Sequence, residues 1–233
     1  MQRHPQRSVR DFLVDSPWMR RLDHSTQEKV IGDSYDVMHR GGDVVAREGE
    51  PVSSWIGVAD GILKVVGGST TRRPVIYSSV PAGSWMGEGS VLKDEPRHYD
   101  VIAISSTRTI HVPRTTFHWL LETSFEFNHF IIQQLNERLG QFMSMTESQR
   151  IENPTIRLAR ALVGLFNPVI YPRTGTVVNT SQQELGELAG LTRQRVNAAI
   201  QVLKTAGVLN VQYGSIVVID LPGLKLIANA EDA

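Results

Sequence analysis

Residues 180–219 read TSQQELGELAGLTRQRVNAAIQVLKTAGVLNVQYGSIVVI, and this stretch decides how the C-terminal part of the chain folds. Ser181-x-x-Glu184 is a capping box, with Thr180-x-x-Gln183 overlapping it, and either one starts a helix by pairing backbone N–H groups that would otherwise be orphaned. Leu185, Leu188 and Ala189 give that short helix an apolar face. Gly190 can take the left-handed conformation that turns the chain, and Thr192 can cap the next helix. In the second helix Val196, Ala199, Ile200 and Leu203 fall on one face; Arg193, Gln194, Asn197, Gln201 and Lys204 fall on another. Val208–Val211, a turn at Tyr213-Gly214-Ser215 and Ile216–Ile219 then read as a hairpin. Two helices, a Gly turn and a hairpin predict a winged helix-turn-helix.

The polar face suits double-stranded DNA. Arg193 can pair bidentately with guanine, and Gln194 and Asn197 with adenine. Ser181, Gln182 and Thr192 stand at helix starts, where hydroxyls and backbone N–H groups meet phosphate. An ordinary helical hairpin with a solvated face has the same periodicity. The capping box, Gly turn, polar trio and wing together favour DNA.

Upstream, Asn153-Pro154 breaks the chain. Ile156, Ala159, Leu162, Val163 and Phe166 form a helix, and Val169-Ile170-Tyr171 and Val177-Val178 are β-like around Pro172–Gly175. From about Arg114 to Glu152 the period is helical. Phe127, Ile131, Leu135, Leu139, Phe142 and Met145 recur at spacings of 4, 4, 4, 3 and 3. This predicts one long amphipathic helix of roughly 25 residues, long enough to pair with a second copy through Phe127, Ile131, Leu135, Leu139 and Phe142. The other reading is a helix packed on its own domain. From about Ser34 to Pro113 the texture is β: Trp55–Val58, Ile62–Val66, Val75–Tyr77 and Val101–Ile104 are separated by Gly-rich turns, with Arg72-Arg73 at a hairpin tip. Strand-length runs at near-regular spacing predict an antiparallel roll, with Trp55 and Trp85 in its core.

The 233 residues carry 24 Lys+Arg and 24 Asp+Glu and no cysteine. Disulfides, Cys-ligated metals and thiol chemistry are therefore excluded. Residues 1–153 hold 17 Lys+Arg and 19 Asp+Glu, a net −2; residues 154–233 hold 7 and 5, a net +2. The base is mildly concentrated where the helix-turn-helix falls, so specificity leans on base contacts more than on bulk charge. Arg3, Arg7, Arg10, Arg20 and Arg21 flank no apolar core, so the N-terminus is not read as a signal peptide. No run is long enough to span a bilayer, and a cytoplasmic protein without membrane contact is expected.

The winged segment resembles the Crp–Fnr family of bacterial transcription regulators. Gly49, Gly61, Gly83 and Gly87 also fall where that family's β-roll turns, so the resemblance spans roughly residues 30–225. It implies an α+β protein. An antiparallel β-roll of the cyclic-nucleotide-binding, jelly-roll type with an N-terminal helical segment would occupy residues 1–115. A long dimerisation helix would occupy 116–152, and a winged helix-turn-helix 153–233. It further implies a homodimer on a pseudo-palindromic site, with RNA polymerase as a further partner. The family often has Glu where Gln194 stands and Arg where Ala198 stands.

The resemblance also gives Gly87-Glu88-Gly89-Ser90 and Arg97-His98 the place of a phosphate-binding cassette. Gly87 and Gly89 would let backbone N–H groups approach a phosphate. Glu88 would accept from a ribose 2′-hydroxyl, and Arg97 would neutralise the phosphate. The loop is one residue shorter than in cyclic-AMP receptors, Gly89 replaces an apolar residue, and His98 replaces Ser. Phe142 and Met143 stand where those receptors place Thr and Ser against adenine. The expected effector is a nucleotide: cyclic AMP, cyclic GMP or cyclic di-GMP. An effector-independent regulator of the same fold is one alternative. A nucleotide-binding module that uses its helical hairpin for protein contact is another. No catalytic constellation and no His metal pattern is visible; Ser90-x-x-Lys93 has no companion motif, and His98 or His111 as haem ligands is the weaker reading. The chain is not expected to be an enzyme.

Overall fold

The computed structural model describes residues 8–68, 75–148, 150–178, 182–212 and 214–230. The chain divides into two compact units, Met1–Asn136 and Glu137–Ala233.

The first unit begins with α1 (Val9–Asp15). Its N-cap Ser8 accepts from Asp11 N while Asp11 accepts from Ser8 N, closing a capping box. A 3-10 turn at Met19–Arg21 leads to α2 (His24–Asp33), capped by Asp23. Eight strands follow: β1 (Tyr35–His39), β2 (Val44–Ala46), β3 (Ser54–Asp60), β4 (Ile62–Gly67), β5 (Val75–Pro81), β6 (Trp85–Met86), β7 (Asp100–Ala103) and β8 (Thr107–Pro113). The short α3 (Glu88–Lys93) lies between β6 and β7. The strands form two four-stranded antiparallel sheets, ordered β1-β8-β3-β6 and β2-β7-β4-β5. This is the expected roll.

Strand alternation sorts the core into two layers. On β3, Ile56 and Val58 face inward and meet Leu63, Val65, Val80, Met86 and Val101 between the sheets. Trp55 faces the other way, where the helices cover the sheet. There Phe12, Trp18, Trp85, Phe117, Phe127 and Phe130 are buried with it. Trp55 stacks on Trp85 at 4.2 Å between centroids, and Trp18, Phe117 and Phe127 meet Trp55 at steep tilts. Both tryptophans are core, as read, on the helix-covered face. Arg72-Arg73 lies outside the described residues.

Residues 116–152 do not form one helix. α4 (Arg114–Thr123) ends at Ser124, whose backbone is extended and whose hydroxyl accepts from Phe127 N, starting α5 (Phe125–Ser148). A Ser that caps the following helix stops the preceding one. The proposed pairing residues also separate. Phe127 and Ile131 are buried in the first unit's core, so they are not a surface for a partner. Leu135, Leu139 and Phe142 are exposed, as is Ile132 at 64%. The helix carries two apolar stripes. Phe127, Phe130 and Ile131 make one, with the buried Gln134 donating to Trp85 O at 3.4 Å. The other runs through Phe125, Ile132, Leu135, Leu139 and Phe142 at heptad spacing, and helical periodicity alone does not separate the two.

The second unit contains α6 (Pro154–Gly164), capped by Asn153, then β9 (Val177–Val178), α7 (Gln182–Ala189) and α8 (Arg193–Thr205). β10 (Leu209–Gln212), β11 (Ser215–Val218) and α9 (Leu221–Ala228) complete it. The sheet order is β10-β11-β9. Val169–Tyr171, expected as β-like, is a turn: Asn167 Oδ1 accepts from Val169 N and Ile170 N, and Tyr171 N donates to Asn167 O. α9 was not foreseen. Asp220 caps it by accepting from Gly223 N at 2.9 Å, with a proline in its first turn. Leu158, Leu162, Leu185, Val196, Ile200, Leu203, Ile216 and Leu224 close the core.

Candidate functional site

α8 buries Val196, Ala199, Ile200 and Leu203, the face read from the sequence. Thr192 caps it, accepting from Arg195 N at 3.4 Å. Arg193, Gln194 and Asn197 are therefore held on the exposed face, with Gln201 one turn on. Among the described residues none of these four spends its side chain on an intrachain hydrogen bond. Gln182 begins α7 and is half-buried; Ser181, and with it the capping box, lies outside the described residues. The hairpin is formed by β10 and β11 in the register Leu209↔Val218 to Gln212↔Ser215.

Two arginines that the sequence did not single out hold this geometry. Arg157 on α6 donates from Nε and Nη2 to Ala189 O at 3.1 and 2.8 Å, and from Nη2 to Gly190 O at 2.9 Å. It thus satisfies carbonyls left open at the C-terminus of α7. Gly190 is left-handed at φ +62, and a Cβ there would lie 2.6 Å from Arg157 Nη2. Burial and the neighbouring Arg195 lower the Arg157 pKa. Arg195 donates to Glu152 O at 3.0 Å, so its guanidinium is engaged away from the polar row. The acceptors of Arg157 are main-chain carbonyls 32 and 33 residues away, which no motif spacing encodes.

In the roll, Gly87 caps α3 with φ +90, and a Cβ there would sit 2.6 Å from Arg97 Nη1. Only glycine leaves room for the guanidinium to fold over this turn. Glu88, Ser90 and Arg97 are all buried, Arg97 to 4% exposure. Arg97 Nη2 donates to Ser54 O at 3.1 Å, while Nη1 is buried without a hydrogen bond among the described residues. Burial pulls the Arg97 pKa down, opposed by Tyr99, Glu50 and Glu88. Gly89 and His98 do not join this set. Gly89 is exposed with nothing within 4 Å of a Cβ, and the exposed His98 meets Glu95 at 3.3 Å. A surface cleft of about 460 Å³ beside α3 takes in Asp94, Glu95 and Pro96 but none of Gly87, Glu88, Ser90 and Arg97.

A buried polar chain adjoins Arg97. Ser54 Oγ meets His111 Nδ1 at 2.8 Å, His111 Nε2 meets Thr109 Oγ1 at 2.9 Å, and Thr109 Oγ1 meets His39 Nε2 at 2.9 Å. Tyr35 stacks on His111, 5.0 Å between centroids. Burial, then His39 and Arg97, push the His111 imidazole down to about 4. His111 is thus a neutral core histidine. Among the described residues no cluster of side chains could hold a metal ion, and no helix is long and apolar enough to cross a membrane.

Residues 37–124 match the family described as the cyclic nucleotide-binding domain, and residues 156–227 match the Crp-like helix-turn-helix domain. The chain is similar to the transcriptional regulator SdrP of Thermus thermophilus, 26% identical over 201 residues, covering 83% of this chain and 94% of that one. Among solved structures, FixK2 from Bradyrhizobium japonicum gives a TM-score of 0.69 at 17% identity, over 85% of this chain and 98% of that one. The c-di-GMP responsive global regulator CLP of Xanthomonas campestris gives 0.59 at 20% identity, over 84% and 99%. At these identities the two structures show the fold. The two domain matches, in this order on one chain with this fold, make the protein a member of the Crp–Fnr family of transcription regulators, a cyclic nucleotide-binding domain followed by a DNA-binding helix-turn-helix domain.

Proposed function

We propose that the protein is a homodimeric, sequence-specific regulator whose roll takes a phosphate-bearing nucleotide at Arg97. The carrying observation is the Arg97 guanidinium: it is buried, folded over Gly87, and its Nη1 has no hydrogen bond among the described residues. A buried donor left unpaired is costly, and a phosphate oxygen would accept from it. Gly87 makes room for Arg97, Glu88 offers an acceptor for a sugar hydroxyl, and Ser90 adds a polar hydroxyl. CLP, a c-di-GMP responsive regulator by description, shares the fold and keeps cyclic di-GMP among the candidates beside cyclic AMP and cyclic GMP. Calorimetry against each nucleotide, with Arg97→Ala and Arg97→Lys as controls, tests the assignment. Heat of binding in the wild type that is lost in Arg97→Ala is expected; equal heats in both remove Arg97 from the site.

Two copies would pair through Ile132, Leu135, Leu139 and Phe142 of α5. They would present two α8 helices to successive major grooves about 34 Å apart on a pseudo-palindromic site. Ser181, Gln182 and Thr192 would contact phosphate, while Arg193, Gln194 and Asn197 would read bases. Effector binding would bias the helix pair as a population shift, with RNA polymerase as the partner downstream. A mobility-shift assay with Arg193→Ala checks the reading face, and unchanged sequence-specific affinity would sink it. A regulator that needs no effector is the second reading. Phe142 and Met143, exposed and without side-chain hydrogen-bond donors, favour it by extending the apolar seam. Tight specific DNA binding by nucleotide-free protein, unchanged by added nucleotide, decides for it.

A further inference from the structure

The exposed side of α8 carries two parallel rows of side chains. Residues four apart stack along one face of a helix. Arg193, Asn197 and Gln201 form a polar row. Gln194, Ala198 and Val202 form the row beside it, and after Gln194 that row is apolar. Ala198 is exposed, and Val202 is 54% exposed although its chain neighbour Leu203 belongs to the buried face of the helix. Both stand outside the hydrophobic core of the second unit.

We infer that Ala198 and Val202 read thymine methyl groups, so that the preferred half-site is set partly by apolar contact. The inference rests on the reading of α8 as the helix that enters the major groove. In that groove thymine is the base that presents a methyl, whereas cytosine presents an N4 amine and guanine two acceptors. Ala and Val can neither donate to nor accept from those polar edges. Placed over them they exclude water without replacing its hydrogen bonds, which is unfavourable; placed over a methyl they bury apolar area on both partners. Four residues advance the helix by about 6 Å, and base pairs are about 3.4 Å apart. Gln194, which pairs best with adenine, and Ala198 therefore face base pairs one to two steps apart. The row as a whole selects a run of A·T pairs beside the guanine that Arg193 would take. A salt-dependent phosphate grip alone would not distinguish these bases.

The test uses the full-length protein and duplex DNA. A preferred site is selected from a random library, and each thymine of one half-site is then replaced in turn by 2′-deoxyuridine, which removes only the methyl. At one or two positions the substitution is expected to weaken wild-type binding about three- to fivefold, the equivalent of one buried methyl. With Ala198→Gly the ratio of thymine to uracil affinity at one of these positions should fall to near one, and Val202→Ala should lower it at another. Each ratio is measured with one protein on two DNAs, so loss of overall affinity or partial unfolding in a variant cancels. Uniform indifference to uracil in the wild type, or a thymine preference untouched by both variants, overturns the inference while specific binding persists. Failure to select any site overturns the major-groove reading as well.

Discussion

His111 shows how one buried side chain ties stability to pH. It accepts or donates on both ring nitrogens inside the roll, to Ser54 and Thr109, and is held neutral with its pKa near 4 against an ordinary 6.5. Between those values the unfolded chain binds a proton that the folded chain does not. Stability therefore rises with pH across this window, is fully present above 6.5, and is lost as pH falls toward 4. The full effect is on the order of 3 kcal/mol. Burial also lowers the His39 pKa, with the same sign. Melting temperatures taken from pH 7 downward should fall in the wild type, and His111→Asn should flatten that slope; parallel curves would remove His111 as the cause. Gly190 makes a second case. An alanine there must hold a left-handed backbone and displace Arg157 from its carbonyls. We expect Gly190→Ala to cost about 1–2 kcal/mol and to weaken DNA binding more than an exposed surface change such as Lys225→Ala. The same residues mark what sequence discloses. Thr192, Arg193 and Val196 were legible because helix caps and faces are local. Arg157 was not, because its role exists only once α7 has folded against α6.

α5 carries its two apolar stripes for different reasons, and their separation is measurable. Phe127 lies at 0% exposure among Trp18, Trp55 and Phe117, so Phe127→Ala should destabilise the protein by about 3–5 kcal/mol through the cavity it leaves. Leu139 is 58% exposed, so Leu139→Glu should leave the melting temperature of the isolated chain nearly unchanged while placing like charges at the centre of a heptad seam. Analytical ultracentrifugation should then report a monomer for Leu139→Glu and a dimer for the wild type. A dimer that survives the substitution would move the interface elsewhere. A period of 3.6 identifies an apolar face without saying whether its own domain or a second copy covers it. That is why Phe127 and Ile131 were grouped with Leu135, Leu139 and Phe142 in the sequence. The break at Ser124 was hidden for a similar reason: serine is tolerated in a helix, and only its hydroxyl bond to Phe127 N makes it a cap. The roll strands and the helix-turn-helix were visible because turn glycines and caps are short-range signals. α9 carries the same kind of short-range signal in its cap Asp220 and in Pro222 in its first turn.

The order of the two domains fixes what a regulator of this kind must do if it responds to a ligand. A nucleotide held at Arg97 can change DNA affinity only by its differential affinity for the DNA-competent and incompetent states. Linkage makes the effect reciprocal, so the factor by which nucleotide tightens DNA binding equals the factor by which DNA tightens nucleotide binding. Typical coupling of 1–3 kcal/mol would give about 5- to 150-fold in each direction. We expect calorimetric titration of the nucleotide that binds Arg97 to show this gain when the protein is first saturated with its selected duplex, and no gain with a scrambled duplex of equal length. The scrambled arm matters because residues 154–233 carry only a net +2, so phosphate contacts common to both duplexes contribute little discrimination. Nucleotide affinity that is identical on both duplexes, in a protein that binds both ligands, would mean that the roll and the helix-turn-helix act independently, and the effector-free reading would then hold for control of transcription.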